Sequence, residues 1–114
     1  MPRHEFGLIE NIEKEKSYDS YEPEKYNCIS IDDDIIQSFV KSMGTMKTYY
    51  HNMNRPDFGL AYCGVTIIPP ESLIQFQNII LSSKMIRESE EVVELANIIS
   101  QAINQNKYMI HFGI

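Results

Sequence analysis

Residues 49–72 read YYHNMNRPDFGLAYCGVTIIPPES. A histidine, an aspartate, a cysteine and three tyrosines crowd near one turn, as they would in a catalytic cluster. The same residues also spell a hairpin running into a helix. In Asn54–Gly59, Pro56 presets one dihedral, Asp57 follows it, and Gly59 frees the exit. The flanking segments 45–53 and 59–68 then form two strands. In the second strand Ala61, Cys63, Val65 and Ile67 share one face, with Leu60, Tyr62, Gly64, Thr66 and Ile68 on the other. The first face is the more uniformly apolar, so it is assigned to the core. Ile68 precedes a proline and is held extended, and proline in a helix's first turn costs no hydrogen bond.

Outward from this stretch, the apolar periodicity switches between two and 3.6 residues. EFGLI (5–9) reads as a short strand and YNCISI (26–31) as a firmer one. Asp32, Asp33 and Asp34 precede a helical stripe of Ile35, Ile36, Phe39, Val40 and Met43, so one aspartate caps the helix and the others stay solvated near its positive end. Gly44 is placed to end that helix in a left-handed conformation. A second helix carries Leu73, Phe76 and Ile80, broadened by Ile74, Ile79 and Leu81. A third, capped by Ser89, carries Val92, Leu95, Ala96, Ile99 and Ile103. YMIHFGI (108–114) is a strand.

The expected fold is α+β: a largely antiparallel sheet of four to five strands, three helices packed on one face, in the order (β)βαββααβ. At 114 residues the chain is one domain, 1–114. Within it, residues 10–25 lack either periodicity and read as an extended, partly mobile charged segment, pinned by its tyrosine rings.

A net charge of −6 with scattered basic residues disfavours nucleic acid and suits a basic protein partner. No apolar run approaches a membrane span, and residues 1–16 lack a secretory pattern, so a cytoplasmic location is expected, with Cys28 and Cys63 reduced and buried. Cys63 and His51 touch only in one hairpin register, and a mid-strand thiol among aliphatics is a poor nucleophile. The three histidines, His4, His51 and His111, lie on separate elements without metal-ligand spacing, and converge only if the terminal strands are neighbours. Neither a metal nor another cofactor is expected.

The tyrosines form the stronger surface signal. Tyr18, Tyr21, Tyr26, Tyr49, Tyr50 and Tyr62, with His51 and Asp57, are the candidate binding residues, rigid rings among carboxylates. YCGVTIIPPESL (62–73) and KYMIHFGI (107–114) resemble segments of small uncharacterised bacterial cytoplasmic proteins, including immunity proteins of toxin systems. That resemblance implies an inhibitor that occludes a toxin's active site, and it carries over no catalytic residue. The expected function is therefore non-enzymatic protein binding. The alternatives are a small enzyme or ligand-binding domain using His51, Tyr49, Tyr62 and Asp57, and a homo-oligomer covering an open edge or sheet face.

Overall fold

Apolar side chains alternate on both faces of the central strands, and both faces are covered. The computed structural model describes residues 2–114. Its strands are β1 (Arg3–Ile9), β2 (Ile29–Asp32), β3 (Lys47–Tyr50), β4 (Pro56–Phe58), β5 (Val65–Ile68) and β6 (Tyr108–Phe112). They form one sheet in the order β2-β1-β6-β5-β3-β4, with every neighbouring pair antiparallel. The helices are α1 (Asp33–Met43), α2 (Leu73–Leu81), α3 (Met85–Glu88) and α4 (Glu90–Gln105). The α+β class stands; the sheet has one more strand than expected, and a short helix precedes α4.

The extra strand comes from the turn region. Pro56, Asp57 and Phe58 do not turn the chain but pair with β3 as an exposed edge strand, where a proline's missing N–H costs nothing. The chain then crosses back through residues 59–64 and returns as β5 on the other side of β3. β3 thus lies between β4 and β5, not in a simple hairpin with 59–68. Cys63 falls in the turn before β5 and is exposed.

The larger core lies between sheet and helices. Phe6, Leu8, Ile31, Ile68 and Met109 from the strands meet Ile36, Phe39 and Met43 of α1, Leu73, Phe76 and Ile80 of α2, and Val92, Leu95 and Ile99 of α4. Thr66 and Ile68 point this way, so the helices cover the face of β5 opposite to the one assigned to the core. Val65 and Ile67 instead join Ile9, Ile110 and Phe112 under the segment 10–26. That segment is a strap across the sheet's second face: Tyr18 and Tyr26 are buried in it, and a 3-10 turn at Pro23–Tyr26 follows. Gly7 of β1 makes room for it, because a Cβ there would lie 2.6 Å from the Tyr26 carbonyl oxygen and 2.7 Å from Cys28 Sγ.

Four local expectations are corrected. Asp32 does cap α1, its carboxylate accepting from Asp34 N at 2.9 Å, but Asp33 is buried, not solvated. Gly44 is right-handed, at φ −61°, and its N–H bonds Lys41 O in a tightened last turn. Ser89 holds the N-cap position of α4 without a side-chain capping bond. Glu91 is the engaged first-turn residue instead: it accepts from Asp32 N at 2.8 Å and pairs with Arg3. Ile74 and Leu81 of α2 face solvent.

Candidate functional site

Two polar features flank the centre of the sheet, one on each face. On the helix face, β1 and β6 are neighbours, which brings His4 and His111 together; both are fully buried. His4 Nδ1 lies 2.8 Å from His111 Nε2, and His4 Nε2 lies 2.7 Å from Asp33 Oδ1. Thr66 Oγ1, directly across from His111 on β5, lies 3.0 Å from His111 Nδ1 and accepts from Ala61 N at 2.8 Å. Tyr62 donates its hydroxyl to Asp33, and Gln37 donates to Asp33 Oδ2 at 2.8 Å.

With both rings neutral, one assignment of protons satisfies this row. An ionised Asp33 can only accept, so His4 carries its proton on Nε2 and offers Nδ1 as acceptor. His111 then donates from Nε2, and its Nδ1 accepts from the Thr66 hydroxyl. Hydrogen bonds from the Tyr62 hydroxyl, then His4, then Gln37 hold the Asp33 carboxyl below the usual carboxylate range. Burial, then the nearby His4, pushes His111 well below an ordinary histidine. The row ties three strands to the start of α1. Its polar atoms bond to one another, and both rings are fully buried.

The opposite face holds a cleft. His51 follows β3 in a left-handed conformation, φ 68°, with its N–H on Val65 O at 3.0 Å and its carbonyl accepting from Tyr18 N at 2.7 Å. Its ring lies over Gly64, where a Cβ would come within 2.9 Å of Nε2. The strap brings Asp19 alongside, with Oδ1 3.0 Å from His51 Nδ1. That contact is close but not aligned as a hydrogen bond, and Nδ1 is otherwise unpartnered. Tyr21 sets its ring edge-on to Phe112 and donates its hydroxyl to Glu5. That bond, then desolvation, raises the phenol to about 12, so it stays neutral. Asp19, Tyr21, His51 and Cys63 surround about 240 Å³ floored by Val65 and Phe112.

The candidate residues thus separate. Tyr21 and His51 meet at the cleft. Tyr18 and Tyr26 are the strap's own buried rings, and Tyr49 packs half-buried beside them. Tyr50 donates to Phe58 O at 2.7 Å within the β3–β4 hairpin, and Asp57 stands exposed on the edge strand. Tyr62 turns to the helix side and Asp33. His51, Tyr49, Tyr62 and Asp57 therefore do not converge. Asp19, at the cleft, and the row Asp33, His4, His111 and Thr66 were missing from the candidate set. A signal existed for the row: His4 keeps the parity of Phe6 and Leu8, and His111 that of Met109, both core positions. Among the described residues, no group of three or more His, Cys, Asp or Glu is placed to hold a metal ion, and no helix is long and apolar enough to cross a membrane.

The cysteines differ. Both are free, but Cys28 is half-buried, and burial, then the charges of Glu5 and Glu24, pushes its thiol up to about 12. Iodoacetamide is therefore expected to add once to the native protein, at Cys63, and twice after denaturation, read by intact mass and peptide mapping. Two native adducts would contradict the seating of Cys28.

No protein-family model matches the chain, and no curated protein or solved structure matches it either.

Proposed function

We propose that this is a non-enzymatic binding protein that docks a basic protein partner through the strap and the adjoining end of β3. One observation carries the reading: the strap lies over a sheet face with Tyr21 and Asp19 exposed beside His51. Tyr21 is 66% exposed and the Asp19 side chain 64%. Residues 10–25 hold six carboxylates against three lysines, half of the net charge of −6. Two of those lysines, Lys16 and Lys25, already stand near Glu13 and Glu22. A rigid ring within an acidic rim gives steering from the charge and anchorage from the aromatic. An immunity-type inhibitor is the form of this role that the sequence resemblance suggests.

The test is a column of immobilised protein at low salt, followed by binding of the purified captured partner. The expected partner is basic, and its affinity falls at least about tenfold between about 0.05 and 0.5 M salt, as screening shortens to a few ångströms. If the partner is a toxin, co-expression protects the cell. Binding indifferent to salt, or retention of no basic protein, would overturn the proposal.

A further inference from the structure

The row of buried side chains closes on itself through the crossover 59–64. Asp33 Oδ1 meets His4, His4 meets His111, His111 meets Thr66, and Thr66 accepts from Ala61 N. The next residue, Tyr62, completes the circuit by donating to the same Asp33 oxygen. Its ring also lies edge-on to His4, with centroids 5.2 Å apart. Both ends of the row thus hold one loop. The C-terminal residues pin that loop from another side, with Gly113 N on Gly64 O at 2.7 Å and Ile114 N on Tyr62 O at 3.1 Å.

In the neutral circuit the donors run one way. Ala61 N–H donates to Thr66, Thr66 to His111, His111 to His4, and His4 to the carboxylate. Every ring nitrogen is engaged, so a further proton can be held only by rearrangement. The bridging proton passes from His111 Nε2 to His4 Nδ1, which places the positive charge on His4, beside Asp33. The gained proton is held on His111 Nδ1, leaving that ring neutral in its other tautomer. Charge on His111 itself is disfavoured by its burial, then by His4. His4 faces Asp33 from α1, His111 from β6 and Tyr62 from the crossover, with apolar Ile31 opposite on β2. Arg3, Asp32 and Glu91, on the flanking elements, pair among themselves. α2 and α4 bring apolar side chains to this core. The rearrangement falls hardest on Thr66. Its hydroxyl now receives from both His111 and Ala61 and must turn its own hydrogen away. Among the described residues Thr66 Oγ1 has those two partners and no third. Either that hydrogen goes unpaired in a fully buried place, or Ala61 lets go.

We infer that the row is a proton switch: one proton taken up against Asp33 changes the tautomer of His111, turns Thr66 and loosens the crossover 59–64. Each member has two discrete arrangements, a pair of tautomers or of hydroxyl orientations, which is what lets a hydrogen-bonded chain carry coupling. Gly64 of the crossover lies under the His51 ring, so the loosening reaches the opposite face of the sheet.

The test is nitrogen-15 NMR of the full chain between about pH 8 and about pH 5, reading the imidazole nitrogens and the amides together. At the alkaline end both rings are expected to carry their proton on Nε2. On acidification His4 gains a second proton, His111 holds its own on Nδ1, and the amides of Ala61, Gly64 and His51 shift, all with one midpoint. Asp33→Asn keeps an acceptor for His4 and removes the charge, so the common midpoint should fall by about one pH unit or more. Thr66→Val should leave the Ala61 amide without response to the rings, and Thr66→Ser, which keeps the hydroxyl, should retain it. The inference would be overturned by a His111 that stays in one tautomer, or by rings and Ala61 titrating at separate midpoints. Collapse of the whole spectrum with no titration before it, or a Thr66→Val protein whose Ala61 amide still follows the rings, would overturn it as well.

Discussion

His111→Leu is expected to lower stability by about 2–4 kcal/mol at pH 8, measured as the urea unfolding midpoint. Leucine fills comparable space, so the loss is mainly polar. It leaves His4 Nδ1 without its donor and the Thr66 hydroxyl without its acceptor, each fully enclosed, at about 1–3 kcal/mol apiece. A second signature separates this from a mere packing defect. The folded His111 is held well below its ordinary 6.5, so the unfolded chain takes up a proton first as pH falls. Its contribution is whole above about 6.5 and is lost progressively below it. Asp33 is also depressed from 3.8, so its contribution is whole above that value and disappears only as pH drops through its lower folded one. The midpoint of the unmodified protein should thus fall between pH 7 and 5, and His111→Leu should flatten that decline. Equal slopes in both proteins would place the acid sensitivity on other groups.

Gly7→Ala is expected to cost about 3 kcal/mol, at the upper end of overpacking substitutions. Its Cβ would sit 2.6 Å from the Tyr26 carbonyl oxygen and 2.9 Å from Tyr26 Cβ, atoms with no flexible end to retreat. Relief comes from lifting the strap. The substitution should therefore expose Cys28 to alkylation and abolish partner binding together, while far-ultraviolet circular dichroism changes little. A stable, binding-competent Gly7→Ala protein would mean that the strap is not seated on β1 as described.

The helices were the legible part of the sequence. Phe39, Met43, Leu73, Phe76, Leu95 and Ile99 follow a period that local geometry enforces, and all are buried. Strand order was not legible, because nothing local links Arg3–Ile9 to Tyr108–Phe112. The same gap hid the buried histidine row, which exists only once β1 and β6 lie side by side. Only one of the two core faces of β5 was legible, for a different reason. Apolarity chose Val65 and Ile67 for the core, and they are buried, but under the strap, while Thr66 and Ile68 face the helices, so both faces of β5 are core. The strap's own sequence, rich in charge and poor in aliphatics, concealed that role. Two rings, Tyr18 and Tyr26, supply much of its burial. Asp33 looked like one of three solvated aspartates because its partners lie 29 positions away on either side.

The central place of β6 bears on how the chain folds. His4 and His111, facing each other across β1 and β6, are 107 positions apart. Without residues 108–112 the sheet is two pieces, β2–β1 and β5–β3–β4, each with an apolar edge and no neighbour. Local helices can form early, but the pieces join only by one long loop closure, which belongs to the slower range of small-domain folding, milliseconds to seconds. Until then the open edges of β1 and β5 are templates for intermolecular pairing. A chain ending before Tyr108 should therefore aggregate during refolding, and a synthetic peptide spanning 107–114, supplied in trans, should compete with that aggregation by taking the vacant place.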